Sequence, residues 1–293
     1  MVRRALVFAF SILAASAASA QTASYLWMSP DVGLAWSNGY SGRGSAIVVV
    51  DSFNSSSIRG NLDGTGSMLM PHGGWTYEIA RAVAPQAVMN TQEWSSSAVM
   101  LPNPKRLIST INLSYGMFVP SKFTSVTWSA EELSIVSYAN KGSAIVVKAA
   151  GNDGVAMGRA NSSGMVDVLN SALKLGATTI YAGALSSNGT PTSKARLAWY
   201  SNIAGTDLNY QSRFLVVGVL GDKTGLYGTS FAAPIISGYS AIVAGKFHNR
   251  TPTQIANQLL ATARQDTLVN YNPAIYGRGE ASLSRALAPA TIK

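Results

Sequence analysis

The chain is patterned as short, almost wholly apolar runs separated by segments of helical period or by turn residues. Ser45 to Val50, SAIVVV, is rich in β-branched residues and nearly all apolar. Such a run fits a strand buried on both faces rather than one that alternates inward and outward. It ends on Asp51. Residues 86–90, 107–113, 144–150 (AIVVKAA) and 177–184 predict further strands. A helix is expected just after His72-Gly73-Gly74, running to about Val83 and stopped by Pro85. Another spans Trp128 to Lys141, with Gly142 as its C-cap. Gly228 to Lys246 carries small and apolar residues on nearly every side and predicts a buried helix. Pro234 is placed near its first turn, where a missing N–H costs little. A capped helix starts at Thr251-Pro252 and runs to about Ala263. Residues 54–71, rich in Ser, Gly and Asn, predict a loop, and 195–221 short strands and turns. Strands alternating with helices predict an α/β fold of three layers, a mainly parallel central sheet with helices on both faces.

Composition narrows this picture. Of 293 residues, 47% are hydrophobic and 12% charged, about half the charge density of ordinary globular chains. That excludes a disordered or coiled-coil protein. No apolar run reaches the roughly 18 residues of a membrane span, and no repeat appears. Arg3 and Arg4 precede an apolar stretch from Ala5 to Ala15, and Ala18-Ser19-Ala20 has the small-x-small form of a signal-peptidase site. Charged start, short apolar core and small-residue exit predict a secretory leader over 1–20, and so a secreted or periplasmic protein without stable membrane insertion. Taking 20 of the 293 residues away leaves 273, read as a single domain over 21–293.

The chain has no cysteine, so an exported protein of this kind relies on its core, and thiol nucleophiles and Cys-based metal sites are excluded. Thirteen acids spread thinly, with no run of alternating oxygen ligands, imply no metal and no cofactor. Removal of Arg3 and Arg4 lowers the net charge from +9 to +7. Lys105-Arg106, Lys194-Arg196 and Lys246-Arg250 are scattered, which reads as a solvated surface, and no nucleic acid partner is expected.

Functional groups of such a sheet gather at the carboxyl ends of strands and the amino ends of helices. Asp51 ends the first strong strand, His72 opens the first helix in PHGG, and Ser230 stands in YGTSFAAP where a loop turns into the most buried helix. Each has an ordinary role available, as turn residue, loop residue and N-cap. Histidine discriminates, because there are two. His248, in KFHNR among charges, belongs on the surface, which leaves His72 as the imidazole base. An Asp, a His and a Ser at three such termini fit nucleophilic catalysis.

VVVDS around Asp51, PHGG with the helix ending VAPQA, AAGNDG around Asn152, and GTSFAAPIISG around Ser230 resemble the subtilisin-like serine proteases, the subtilases. The order Asp, His, Ser is that of the family. SNGYSGRGSAIVVVDS, INLSYG, TPTQIANQLLATAR and YGRGEASLSRAL carry the resemblance over most of residues 36–287. It implies a subtilisin-like fold and a secreted serine endopeptidase acting on protein or peptide substrates through an acyl-enzyme. Ser230 would attack the scissile carbonyl, His72 would move the proton and Asp51 would hold the imidazole. Asn152 matches the side-chain oxyanion donor, and the Ser230 N–H joins it. Ser114, Tyr115 and Gly116 match the segment that pairs with an extended peptide. Ala149, Ala150 and Gly151 match the opposite wall of the pocket for the residue before the cut. These small walls imply an open pocket suited to large apolar or aromatic side chains. Tyr115 equally fits a core position.

The sequence departs from the family pattern at Ser52-Phe53, where a glycine commonly follows the serine, and at Gly73-Gly74-Trp75, where a threonine and a second histidine are usual. Trp75 either packs as helix core or narrows the cleft. Lys148 stands where the family has an aliphatic residue, and there it either snorkels or meets a carboxylate. A catalytically silent relative that binds peptides or envelope components through the same cleft is the alternative function. A lipase or esterase does not fit, since G-x-S-x-G is absent at Ser230 and the chain order differs. Many secreted subtilases carry a folding pro-domain between leader and protease. Here the resemblance starts near Trp36, so no pro-domain is expected, and the chain should fold either unaided or with help from another polypeptide.

Overall fold

The computed structural model describes residues 25–94, 97–123 and 125–293; the leader read over 1–20 lies outside them. Ten strands appear among the described residues: β1 (Ser45–Asp51), β2 (Ile58–Gly60), β3 (Met68–Met70), β4 (Val88–Glu93), β5 (Ile108–Leu113), β6 (Phe118–Pro120), β7 (Ile145–Ala149), β8 (Met165–Asp167), β9 (Thr179–Leu185) and β10 (Phe214–Gly218). Six of them form one sheet in the order β10-β9-β7-β5-β1-β4, with every pairing parallel. β2 with β3 and β6 with β8 make two small antiparallel pairs.

The helices are α1 (Pro30–Ser37), α2 (His72–Val83), α3 (Ala130–Lys141), α4 (Val168–Ala172), α5 (Leu208–Gln211), α6 (Gly221–Thr224), α7 (Thr229–Lys246), α8 (Pro252–Ala261), α9 (Pro273–Tyr276) and α10 (Leu283–Leu287). All seven residues of β1 are buried because its two faces feed two cores. Ile47 and Val49 pack in one core with α2, α7 and α8, while Val48 and Val50 pack in the other with α3 and α4. The architecture is therefore the expected α/β sandwich of three layers. Fifteen of the eighteen residues of α7 are buried, as expected for a helix lying across β1, β5, β7 and β9.

Four readings of the sequence are corrected in detail. Residues 54–71 are not simply loop but hold the β2–β3 hairpin. α2 includes His72 rather than starting after the glycines. α3 begins at Ala130, where Ser129 and Glu132 form a capping box. Pro234 is the sixth residue of α7, past the first turn.

Candidate active site

β7, β5 and β1 are adjacent in the sheet, and their carboxyl ends carry Asn152, Ser114 and Asp51. The amino ends of α2 and α7 bring His72 and Ser230 to the same edge. The structure thus gathers residues 51, 72, 114, 152 and 230 at one site, the place where open α/β sheets hold their ligands.

Asp51 is 2% exposed and His72 28%. Asp51 Oδ1 lies 2.6 Å from His72 Nδ1 and also accepts from Ser52 N at 2.8 Å. Its Oδ2 accepts from Thr76 Oγ1 at 3.0 Å. An ionised carboxylate only accepts, so in the neutral imidazole Nδ1 carries the proton and Nε2 keeps its lone pair. The Phe231 ring, centroid 5.7 Å from that of His72, walls the imidazole on one side.

The two departures around Asp51 and His72 fit each other. Gly73 donates its N–H to Ser52 O at 2.9 Å, and a Cβ on Gly73 would stand 2.9 Å from that oxygen and 3.0 Å from the Phe53 ring. Phe53 thus uses the room that Gly73 leaves. Glu93, opposite Asp51 in β4, accepts from Ser52 Oγ, Phe53 N and Asn54 Nδ2 and holds this loop. Trp75 takes the core option: it is 1% exposed and donates Nε1–H to Ile58 O.

Ser230 is half-buried at the second residue of α7. Its hydroxyl donates to Ser114 O at 3.0 Å, and no hydrogen bond joins it to His72 among the described residues. In return Ser114 Oγ donates to Ser230 O at 2.8 Å. Pro234 explains that bond. It lacks the N–H that would close a helical turn on Ser230 O, so the carbonyl is free and the Ser114 hydroxyl occupies it. Asn112 Nδ2 donates to Ser114 Oγ at 3.0 Å, and its Oδ1 accepts from Ser237 Oγ at 3.1 Å. A buried polar chain therefore ties the first and third turns of α7 to the end of β5.

Asn152 is fixed by its neighbour in space, Thr229. Oδ1 of Asn152 accepts from Thr229 N at 2.8 Å and from Thr229 Oγ1 at 2.9 Å, while Thr229 Oγ1 accepts from Gly151 N at 3.0 Å. With the oxygen engaged, Nδ2 of Asn152 and the N–H of Ser230 carry no hydrogen bond among the described residues. The first N–H groups of a helix lack intrahelical partners, and the positive end of α7 favours an anion beside them. Gly228 precedes them with φ 134°, a region open to glycine, and Gly151 has φ 112° with a Cβ that would fall 2.4 Å from Asn202 Nδ2. Asn202 clamps the Asn152 loop, donating to Ala150 O and accepting from Asp153 N and Val155 N.

Thr76, Thr229, Asn112 and Asn202 carry no signal in the sequence pattern that would have singled them out. A Thr one turn after His72 and a Thr before Ser230 read as ordinary helix residues. Tyr115 is half-buried, its ring centroid 5.6 Å from that of Trp94 and its hydroxyl donating to Glu131 Oε1 at 3.3 Å. Burial, with Glu131 and Glu132 nearby, pushes that hydroxyl far above the usual tyrosine range. Lys148 meets a carboxylate, Asp167, at 3.0 Å. His248 is exposed, as expected. No group of acids and histidines able to hold a metal occurs among the described residues.

The model of the subtilase family matches residues 64–279, which include His72, Asn152 and Ser230. Mycosin-5 of Mycobacterium tuberculosis (strain ATCC 25618 / H37Rv) is 41% identical over 91 residues. That match spans 28% of this chain and 16% of the relative, so the chain covers about a sixth of the length of the curated relative. Among solved structures, the prenylagaramide maturation protease PagA superposes with a TM-score of 0.57 at 18% identity, covering 88% of this chain and 98% of that one. MycP1 from Mycobacterium smegmatis gives 0.55 at 19% identity, covering 88% of this chain and 82% of its own. At such identities the likeness is one of fold.

Proposed function

The chain belongs to the subtilase family of serine-type endopeptidases, and on that premise we propose that it hydrolyses protein or peptide substrates with Asp51, His72 and Ser230 as its triad. The observation that carries this reading is the 2.6 Å contact between Asp51 Oδ1 and His72 Nδ1, made across two separate elements beside the amino end of the helix that bears Ser230. Asp51 fixes the tautomer whose Nε2 can take a proton. Rotation of Ser230 about χ1 carries its hydroxyl from Ser114 O toward that nitrogen. The alkoxide then attacks the scissile carbonyl and an acyl-enzyme forms as His72 protonates the leaving amine. Asn152 Nδ2 and the Ser230 N–H receive the developing oxyanion. The edge Ser114-Tyr115-Gly116 takes the substrate backbone as an added strand, with Ala149, Ala150 and Gly151 on the far side. The leader over residues 1–20 directs this activity outside the cytoplasm; no described helix is long and apolar enough to cross a membrane.

A fluorophosphonate probe is expected to label Ser230 in the folded protein, and Ser230→Ala to abolish labelling. A folded, correctly processed sample that stays unlabelled refutes the reading. One observation favours a second one, a silent relative that binds peptides in the same cleft: the Ser230 hydroxyl rests on Ser114 O rather than on His72. Retention of casein peptides without their cleavage would identify that case.

A further inference from the structure

Lys148 breaks the apolar run of β7, and its pairing is unlike that of a surface lysine. It stands between Leu113 of β5 and Tyr181 of β9 in the sheet register, with 1% of its side chain exposed. Its ammonium donates to Asp167 Oδ2 at 3.0 Å and to Ala149 O at 2.7 Å. Asp167, 8% exposed, ends β8 and caps α4, and its Oδ1 accepts from Met117 N at 3.0 Å and Leu169 N at 3.1 Å. A Cβ placed on Gly116 would stand 2.8 Å from Asp167 Oδ2 and 2.7 Å from the Phe118 ring. The carboxylate therefore lies against the Gly116 segment and the ammonium against the carbonyl of Ala149. The pair bridges the two walls of the cleft described above.

A buried ion pair adds little net stability compared with apolar residues of similar volume, so stability gives no reason for this one at a position of an otherwise apolar strand. Its unused hydrogen-bonding capacity gives one. An ammonium has three donors, and two are engaged. A carboxylate has about four acceptor sites, and three are engaged by Met117, Leu169 and Lys148. One donor and one acceptor remain, side by side, without partners among the described residues. A side-chain carboxamide presents one of each, whereas a cation or an anion would satisfy one member of the pair and repel the other. Large aromatic side chains would cover both groups without meeting the remaining donor or acceptor.

We propose that Lys148 and Asp167 form the floor of the pocket for the residue before the cut, and that they select asparagine and glutamine there over large apolar or aromatic residues. This rests on the reading of Ser114–Gly116 and Ala149–Gly151 as walls of a working cleft. A site built to hydrogen-bond its substrate rejects analogues that leave its polar groups unpaired, so the expected preference is at least about tenfold in kcat/KM for Asn or Gln over Leu or Phe. The full chain would be incubated with a peptide library and cleavage sites read by mass spectrometry, with fluorophosphonate labelling run alongside. In the double variant Lys148→Met/Asp167→Asn, which keeps an acceptor for Met117 N and Leu169 N, the Asn-to-Leu ratio should fall by about tenfold or more. Labelling with cleavage mainly after Leu, Phe or Tyr overturns the assignment, as does an unchanged ratio in a folded double variant. If that variant does not fold, the profile of the natural chain decides alone. Absence of both labelling and cleavage removes the catalytic reading itself, and the pocket assignment with it.

Discussion

Thr229 offers a quantitative test of how Asn152, the proposed oxyanion donor, is held. Its side chain is fully buried, and its hydroxyl donates to Asn152 Oδ1 at 2.9 Å while accepting from Gly151 N at 3.0 Å. Thr229→Val nearly preserves the shape and removes the hydroxyl. The backbone N–H of residue 229 would still reach Asn152 Oδ1 at 2.8 Å, so the carboxamide keeps one of its two restraints. One neutral hydrogen bond is worth about 1 kcal/mol net. If that restraint matters only once the oxyanion forms, kcat falls about fivefold, because 1.36 kcal/mol corresponds to tenfold. The Gly151 N–H loses its acceptor as well, which lowers stability by about 1 kcal/mol or somewhat more. The ceiling is set by Asn152→Ala, expected to cost about 10²–10³ in kcat. The assay is saturating turnover of a peptide substrate per site titrated with fluorophosphonate, with urea unfolding measured in parallel. The decisive comparison is a double-mutant cycle. On the Asn152→Ala background Thr229→Val should change kcat by less than about twofold, because the group it positions is gone. An equal loss in both backgrounds would refute the idea that this hydroxyl acts through Asn152.

Two further outcomes are expected. Gly73→Ala should destabilise by about 1–3 kcal/mol and lower kcat, since its Cβ would stand 2.9 Å from Ser52 O and 3.0 Å from the Phe53 ring, next to both Asp51 and His72; thermal unfolding and turnover of the variant check this, and an unaltered protein would contradict it. Burial pushes the Glu280 carboxyl above the ordinary glutamate range, so the folded chain keeps that proton where the unfolded chain has lost it. Stability therefore falls, for this group, as pH rises from below the ordinary carboxylate value through the raised one. Glu280→Gln should flatten that decline in urea unfolding as pH rises above the ordinary carboxylate range, and a steeper decline would be the contrary result.

What could be read from the sequence was whatever one segment determines by itself. β1 was legible because its run of apolar residues needs two cores, and α7 because small apolar residues surround it on every side. The meeting of Asp51, His72 and Ser230 at one edge of the sheet was legible because they stand at a strand end and at helix starts. α1 was not, although Ser29 and Pro30 cap it well. Eight residues are too short for a helical period to stand out, and α1 is secured from afar, by Trp36 Nε1–H donating to Val83 O. The β6–β8 pair joins segments separated by α3 and β7, so no local pattern announces it. Thr76 and Asn202 act through bonds that only the fold creates. Pro234 was placed by its distance from the helix start, but its effect comes from the carbonyl four residues earlier, which belongs to Ser230.

The heptapeptide GTSFAAP is usually treated as a word, something a chain either contains or lacks. Here its letters are held by distant text. Thr229 answers to Asn152, 77 positions earlier, and Ser230 to Ser114, 116 positions earlier. Pro234 is tolerable because Ser114 supplies the hydrogen bond that proline withholds. The heritable unit is then a set of three segments that must change together. An engineer who grafts the heptapeptide onto another α/β scaffold, without the loop of Asn152 and the strand end of Ser114, transfers the spelling and not the site.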